Sequence, residues 1–317
     1  MARGDQVVVW TPGNKKSAVT AIQKKFTDLG VLIKTKIQFE DYNVLIASPI
    51  LTPNSILSAA PHMPVIGWVH ENRVGVMLAH KTDSIREALE RVGRFIFPSA
   101  DCAASYHSYL LEFPPEMISI IPYAVAEPIP CKHAPKKKGV FRILFVGSLY
   151  PRKRPSDLIR AVDGLDRDQV ECHFIGEHEG LDPESRDLIH KNPARFVLHG
   201  ALQQQDIARL YRSADLFCMP SWDESFGIAA LEAASYGVPP LLSDLKCYEG
   251  LWKDGYNCLT HPVGDMELLR AYIKLFMDNP NIRTRLGNEA QKVPKDYSLK
   301  RFFTNLDTLL TSPILRR

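Results

Sequence analysis

The sequence predicts an α/β protein made of two wound domains in tandem, each a parallel sheet covered by helices. Short apolar runs alternate with longer stretches of helical periodicity along almost the whole chain, the pattern that a sheet with crossover helices leaves in a sequence. The 317 residues exceed one ordinary core and suit two cores of about 150 residues each. A break over residues 127–139 carries Pro128, Pro130, Pro135 and a lysine run; it interrupts both the apolar pattern and the helical propensity, and a fresh strand opens directly after it.

In the first half, β-branched and aromatic runs predict strands at 7–10, 31–37, 42–47, 65–69, 95–98 and 118–122. Helical periodicity between them predicts helices over 17–29, 84–92 and 103–111. At about 125 residues this half is small for its type, so its helices or loops are expected to be trimmed. The domain bounds follow as 1–127 for the first domain, 128–140 for the linker and 141–298 for the second. In the second half, strands are expected at 141–146, 171–175, 195–198, 216–219 and 239–242, with helices over 155–162, 204–213, 227–236 and 266–278. An amphipathic pattern closes the chain over 299–312. No repeat or low-complexity tract interrupts this series.

Composition narrows the function classes. With 45% hydrophobic and 24% charged residues, the chain is that of an ordinary soluble globular protein. A formal charge of +3 is too small for a dedicated nucleic-acid binder, so no nucleic-acid partner is expected. Local basic clusters exist at Lys15, Lys16, Lys24 and Lys25, and at Lys136, Lys137 and Lys138. They read either as solvated surface or as contacts to an acidic membrane or an anionic acceptor. Cys102, Cys131, Cys172, Cys218, Cys247 and Cys258 are scattered, with no CxxC pair and no zinc-ligand spacing, which points to free thiols in a reducing compartment. The first residues do not resemble a signal peptide, and no run approaches the roughly 18 apolar residues of a membrane span. A cytoplasmic location is the expectation, with peripheral contact at the inner face of a membrane as an extension of it.

The richest stretch is LFCMPSWDESFGIAALEAASYGVPPLL, residues 216–242, which reads as strand, polar loop, helix and strand. Helix entry near Phe226 and Gly227 leaves the first N–H groups unpaired and adds the positive end of the helix dipole, so a diphosphate suits the turn from Ser225 to Ile228. Gly227 allows close approach to the backbone. Glu224 lies just before this helix and Glu232 on its second turn, so both carboxylates can face one cleft above the strand ends.

Glu224 and Glu232, separated by seven residues that include Ser-Phe-Gly and followed by Gly237 and Pro239, resemble the E-x7-E motif of the family 4 retaining glycosyltransferases, which have the GT-B fold of two Rossmann-like domains facing a cleft. The resemblance implies that Glu232 holds the ribose hydroxyls, that Glu224 contacts the donor sugar, and that the backbone of Ser225, Phe226, Gly227 and Ile228 holds the diphosphate. A second match, FRILFVGSLYPRKRPSDLIRAV, resembles the family's first strand, glycine loop and lysine-bearing turn. It places Gly147, Ser148, Arg152 and Lys153 at the phosphates, with Lys153 as the cation that offsets charge on the departing diphosphate. Many members carry an arginine where this chain has Ser148; Arg152 or Arg154 can substitute. Gly200 and Ala201, after the strand at 195–198, are implied neighbours of the base. The resemblance covers nearly all of residues 141–312. It also implies that the terminal helix crosses back onto the first domain.

The first half is less explicit. His70, in VIGWVHENR, follows a predicted buried strand and takes the place of a family histidine that contacts the donor sugar; Glu71 and Asn72 are then expected on the acceptor side. Of the family's glycine-rich first loop only Gly13 is clear, within Thr11-Pro-Gly-Asn14. Ser99, in FPSAD, either matches the family's strand-end serine or simply caps a helix. The implied reaction is metal-independent, retaining transfer of a sugar from a nucleoside diphosphate, with UDP- or GDP-sugars as donors, onto a hydroxyl of a glycan, glycolipid or envelope polysaccharide precursor. No cofactor or metal is expected, in keeping with the absence of a DxD-type acidic loop. The alternatives are an inactive nucleotide-sugar-binding partner subunit, an epimerase or a phosphorylase. A dehydrogenase is disfavoured because neither half opens with G-x-G-x-x-G.

Overall fold

The computed structural model describes residues 7–10, 26–28, 31–48, 52–82, 84–110 and 113–312. The loop Thr11 to Asn14 with Gly13, the cluster Lys15, Lys16, Lys24 and Lys25, and all of the predicted helix 17–29 except residues 26–28, which are helical, lie outside the described residues.

Among the described residues every strand pairing is parallel, and the strands fall into two domains. In the N-terminal half, β1 (Val8–Trp10) pairs with β2 (Leu32–Lys34), while β3 (Leu45–Ala47), β4 (Val65–Trp68), β5 (Arg94–Phe97) and β6 (Ile118–Ile120) form a four-stranded sheet in sequential order. Helices α1 (Pro53–Ala59), α2 (Arg73–Ala79), α3 (Ile85–Glu90), α4 (Ala100–Ser105) and α5 (His107–Leu110) accompany it. The single helix predicted over 103–111 is therefore two: it starts earlier because the Ser99 hydroxyl accepts the Cys102 N–H at 3.1 Å as an N-cap, and it breaks at Tyr106.

In the C-terminal half, β7 (Phe141–Val146), β8 (Val170–Ile175), β9 (Phe196–Leu198), β10 (Leu216–Met219), β11 (Pro240–Ser243) and β12 (Leu259–His261) form one sheet in the order β9-β8-β7-β10-β11-β12. The first strand, β7, thus sits at the centre and the chain winds outward to both sides. That order creates a switch point between β7 and β10, where wound sheets open a crevice at the carboxyl ends of their strands. Helices α6 (Pro155–Asp163), α7 (Pro183–Lys191), α8 (Gln204–Tyr211), α9 (Ile228–Ser235), α10 (Met266–Asp278) and α11 (Pro280–Ala290) cover the sheet. Its core is built on fully buried Phe145, Phe174 and Phe217 from three adjacent strands. The helices α1, α7 and α11, which the sequence reading omits, each begin with proline, a residue suited to the first helical turn because its missing N–H is not needed there.

The linker packs against the second domain. Its Ile129 N–H donates to the Tyr236 hydroxyl at 2.9 Å, its Ala134 N–H to the Arg209 carbonyl at 2.9 Å, and Lys136 pairs with Asp215 at 2.7 Å. Near the crossing, the Val125 N–H donates to the Tyr297 carbonyl at 2.8 Å, so the outgoing and returning chains are bonded side by side. The last helix, α12 (Leu299–Leu310), then lies on the first domain. Its Leu309 joins Ile66, Ile96 and Ile121 in a small core, and Phe302 stacks on Trp68 with ring centroids 5.8 Å apart.

Candidate functional site

The loops after β7 and β10 flank the switch point, and their charged side chains meet there. Lys153 sits in a short helical turn, Pro151–Lys153, that follows the glycine loop. Its Nζ lies 2.5 Å from Glu224 Oε1, and Arg152 Nη1 lies 3.5 Å from Glu224 Oε2. The Ser221 hydroxyl donates to Glu224 Oε1 at 2.7 Å. Glu224 is only 6% exposed, so two cations and a hydroxyl satisfy a carboxylate that would be costly to bury alone. Arg152 also ties the two loops together: its guanidinium donates to the Asp223 carbonyl at 2.7 Å, and its own carbonyl accepts the Trp222 N–H at 3.0 Å. Arg154 turns away to pair with Asp157 at 2.6 Å. Of the two arginines that can stand in for the missing one at Ser148, only Arg152 reaches the cluster.

Glycines shape the floor of the crevice. Gly147 has φ +146°, and Gly176, at the end of the neighbouring strand, has φ +139° with no room for a Cβ against the Gly147 carbonyl. The Gly176 N–H donates to the Gly200 carbonyl at 2.8 Å, so Gly147, Gly176 and Gly200 follow β7, β8 and β9 side by side. Ser148 is half-buried beside Gly147, and Ala201 is exposed beyond Gly200. At the other loop, Gly227 enters α9 with φ +81°, and a Cβ there would lie 2.5 Å from the Tyr248 ring. Ile228 is exposed at the first turn, whereas Phe226 is buried.

Glu232 stands apart from the Lys153 cluster. Its Oε2 accepts the Tyr211 hydroxyl at 3.3 Å. Burial raises its pKa, and the Tyr211 bond only partly opposes that shift. A half-buried carboxylate with a single hydroxyl donor retains accepting capacity for further hydroxyls.

The first domain touches the β10 loop at three successive residues. Asn72 Nδ2 donates to the Glu224 carbonyl at 2.9 Å and to Asp101 at 3.0 Å; Ser99 Oγ donates to the Ser225 carbonyl at 2.7 Å. The Asp223 carboxylate accepts the N–H groups of Arg73 and Val74, each at 3.4 Å, at the start of α2. Burial raises the Asp223 pKa, against the pull of those N–H groups and Arg152. These contacts correct one expectation: Asn72 is buried as a bridge between the halves, where it cannot meet an acceptor. Ser99 caps α4, as its helix-capping reading expects, and its hydroxyl also bonds the second domain.

His70 lies on the N-terminal side. Its Nδ1 is 2.6 Å from Tyr123 Oη and its Nε2 is 2.7 Å from Ser48 Oγ. Burial lowers its pKa, with the Glu71 carboxylate opposing. Tyr123 packs edge-on against Phe226 at 5.7 Å, which connects the histidine to the glutamate loop. Asp223, Tyr211, Tyr123 and Ser48 are absent from the sequence reading. Tyr123 and Ser48 each stand just past a predicted strand, at the carboxyl end where wound sheets place their ligands. Asp223 offers no such signal, being one more acid in a polar loop.

Part of this chain is similar to known glycosyltransferases. The α-galactosylglucosyldiacylglycerol synthase of Streptococcus pneumoniae is 26% identical over 162 residues, 50% of this chain and 42% of that protein. The phosphatidyl-myo-inositol mannosyltransferase of Mycobacterium leprae is 32% identical over 149 residues, 45% of this chain and 39% of that protein. A D-inositol 3-phosphate glycosyltransferase of Streptomyces bingchenggensis is 26% identical over 159 residues, 46% of this chain and 35% of that protein. The matched part thus spans less than half the length of these curated relatives. Among solved structures, Anabaena HepE in complex with UDP and glucose superposes with a TM-score of 0.78 at 14% identity, covering 97% of this chain and 100% of that one. A glycosyltransferase from Rickettsia africae superposes with a TM-score of 0.74 at 15% identity, covering 98% and 92%. These likenesses show the two-domain GT-B fold. Residues 131–293, just over half of the chain, match the glycosyl transferases group 1, and with the crevice described above they make this chain a member of that family.

Proposed function

We propose that the protein is a retaining, metal-independent glycosyltransferase that moves a sugar from a UDP- or GDP-sugar to a hydroxyl of a glycan or lipid-linked acceptor. The observation that carries this reading is the meeting of Lys153, Arg152 and Glu224 at the switch point of the second sheet, beside the glycine loop and the N-terminal turn of α9. Two cations around one carboxylate leave a net positive charge, which suits a diphosphate whose negative charge grows as the glycosidic bond breaks. The unpaired N–H groups entering α9 add donors for the same anion. Glu232 takes the ribose hydroxyls, and Gly200 and Ala201 border the base.

The acceptor belongs on the N-terminal side. A cavity of about 520 Å³ there is bordered by Trp10, Ser48, Asn54, Ser55 and Ser58, and Ser48 bonds His70. Such a hydroxyl-rich wall suits a polyhydroxylated acceptor. Transfer with retention then follows a front-face course, in which the departing phosphate oxygen takes the acceptor proton, and contact between the domains excludes water. The reaction is placed in the cytoplasm, with the basic linker and an acidic membrane face as the means of reaching a lipid-linked acceptor. No described helix is long and apolar enough to cross a membrane.

The test is thermal unfolding of the purified protein against UDP, GDP, ADP and their sugars, with and without EDTA. One nucleotide is expected to raise the Tm selectively, by an amount that EDTA leaves unchanged. No shift with any nucleotide at saturation would remove the donor site. A shift without transfer to any acceptor would favour the inactive partner subunit.

A further inference from the structure

Both ring nitrogens of His70 are engaged, one by a residue that also touches the donor loop. Tyr123 Oη is 2.6 Å from Nδ1, its ring stacks on the imidazole at 5.8 Å with planes 18° apart, and its edge meets Phe226 at 5.7 Å. Phe226 is itself pinned by Tyr297 at 5.5 Å, and the backbone two residues after Tyr123 is bonded to the Tyr297 carbonyl. The tyrosine is therefore fixed from both domains. We infer that Tyr123 is a positioning residue: its phenol donates to His70 Nδ1, holding the imidazole as the Nε2–H tautomer, with that proton directed at Ser48 and at any substrate oxygen that takes the place of Ser48.

The direction of the chain follows from counting protons. A phenol has one proton to donate, and a neutral imidazole has one donor and one acceptor nitrogen. A phenol is a stronger acid than a neutral imidazole N–H, and an imidazole nitrogen is a stronger base than a phenol oxygen, so across the 2.6 Å between them the phenol donates. The phenol proton then points at Nδ1, Nδ1 is an acceptor, and Nε2 carries the hydrogen. Burial keeps the ring neutral, with Glu71 the charged group that opposes this. The array Tyr123, His70, Ser48 thus runs from a ring packed on Phe226 of the donor loop into the wall of the N-terminal cavity.

This inference rests on His70 facing the donor sugar, and its test separates the two. Long-range proton–nitrogen NMR of histidine-labelled protein, with the His70 signal assigned from His70→Gln, reads the tautomer without any substrate. In the parent protein His70 is expected as a single neutral Nε2–H form at and above neutral pH. In Tyr123→Phe, which keeps the ring packing, the Nδ1–H form appears or the ring gains a proton at higher pH. On the same samples kcat falls by about tenfold, the loss expected for one well-placed hydrogen bond, while nucleotide affinity stays within about twofold. An Nδ1–H tautomer in the parent, or an identical tautomer and titration in Tyr123→Phe at unchanged Tm, would overturn the assignment. Absence of nucleotide binding in both proteins would instead remove the donor-site reading and leave the tautomer result standing.

Discussion

Glu232 shows how a single residue can cost stability and serve binding. Its carboxylate is half-buried with one hydroxyl partner, and burial raises its pKa. The folded state therefore holds its proton to higher pH than the unfolded chain does, so stability is lost as pH rises from the ordinary glutamate range through the raised value. Glu232→Gln is accordingly expected to raise the Tm of the ligand-free protein at pH 7 and to weaken nucleotide binding, both read in one thermal titration. A lower Tm together with unchanged affinity would contradict both roles. Lys153 makes the opposite case. Lys153→Ala is expected to lower kcat by about 10²- to 10³-fold, as loss of a preorganised charge at a developing anion does. Arg154→Ala, whose side chain pairs with Asp157 outside the cluster, serves as the control with near-normal turnover. Both glutamates could be picked out in the sequence from their places just before a helix and on its second turn, and the lysine from the resemblance of its turn to that of the family 4 glycosyltransferases. Tyr123 and Tyr211 could not, because a tyrosine within or beside an apolar run reads first as packing.

At the scale of elements, the entry to α9 has little freedom. Gly227 combines φ +81° with a Tyr248 ring where its Cβ would go. Gly227→Ala is expected to destabilise by about 1–3 kcal/mol, the usual cost of a side chain in a strained backbone region, and to abolish the nucleotide-induced Tm shift. Retention of that shift would show that the helix entry does not hold the phosphates. Five of the second-domain strands were legible because each is a compact apolar run between turn residues; β12 was not, since its Leu-Thr-His holds a single apolar residue. Helices α1 and α2, of seven residues each, were not, since so short a segment gives fewer than two full turns of periodicity. The third strand of the N-terminal series shortened for a related reason: the residues between the predicted 42 and the observed Leu45 find no strand partner.

For the whole molecule, acid sensitivity is the property most exposed to test. Burial lowers the pKa of His70, His173, His199 and His261, and brings His173 down to about 3 with help from Arg142 and His199. The unfolded chain takes up these protons near the ordinary histidine value of about 6.5 while the folded protein resists. The stability is therefore fully present above that value and is lost as pH falls toward about 3. A Tm series from neutral to acidic pH is expected to decline from just below pH 6.5, and His173→Gln should flatten part of the slope. A flat profile would mean that these rings are solvated. That the protein has two sheet-bearing domains was legible from the proline break and the fresh strand after it. How they meet was not, because the meeting depends on Asn72, Ser99 and Asp223, none of which carries a pattern.

Two of the four hydrogen bonds that bind the donor loop to the first domain end on main-chain oxygens, those of Glu224 and Ser225. Every amino acid supplies such an oxygen, so the loop can exchange its side chains over evolutionary time without severing the bond, while Asn72 and Ser99 cannot be exchanged so freely. Selection on this junction is therefore one-sided. Correlated substitutions between the two halves will not record it, and loop variants made to change donor preference will inherit an intact junction from the unaltered N-terminal half.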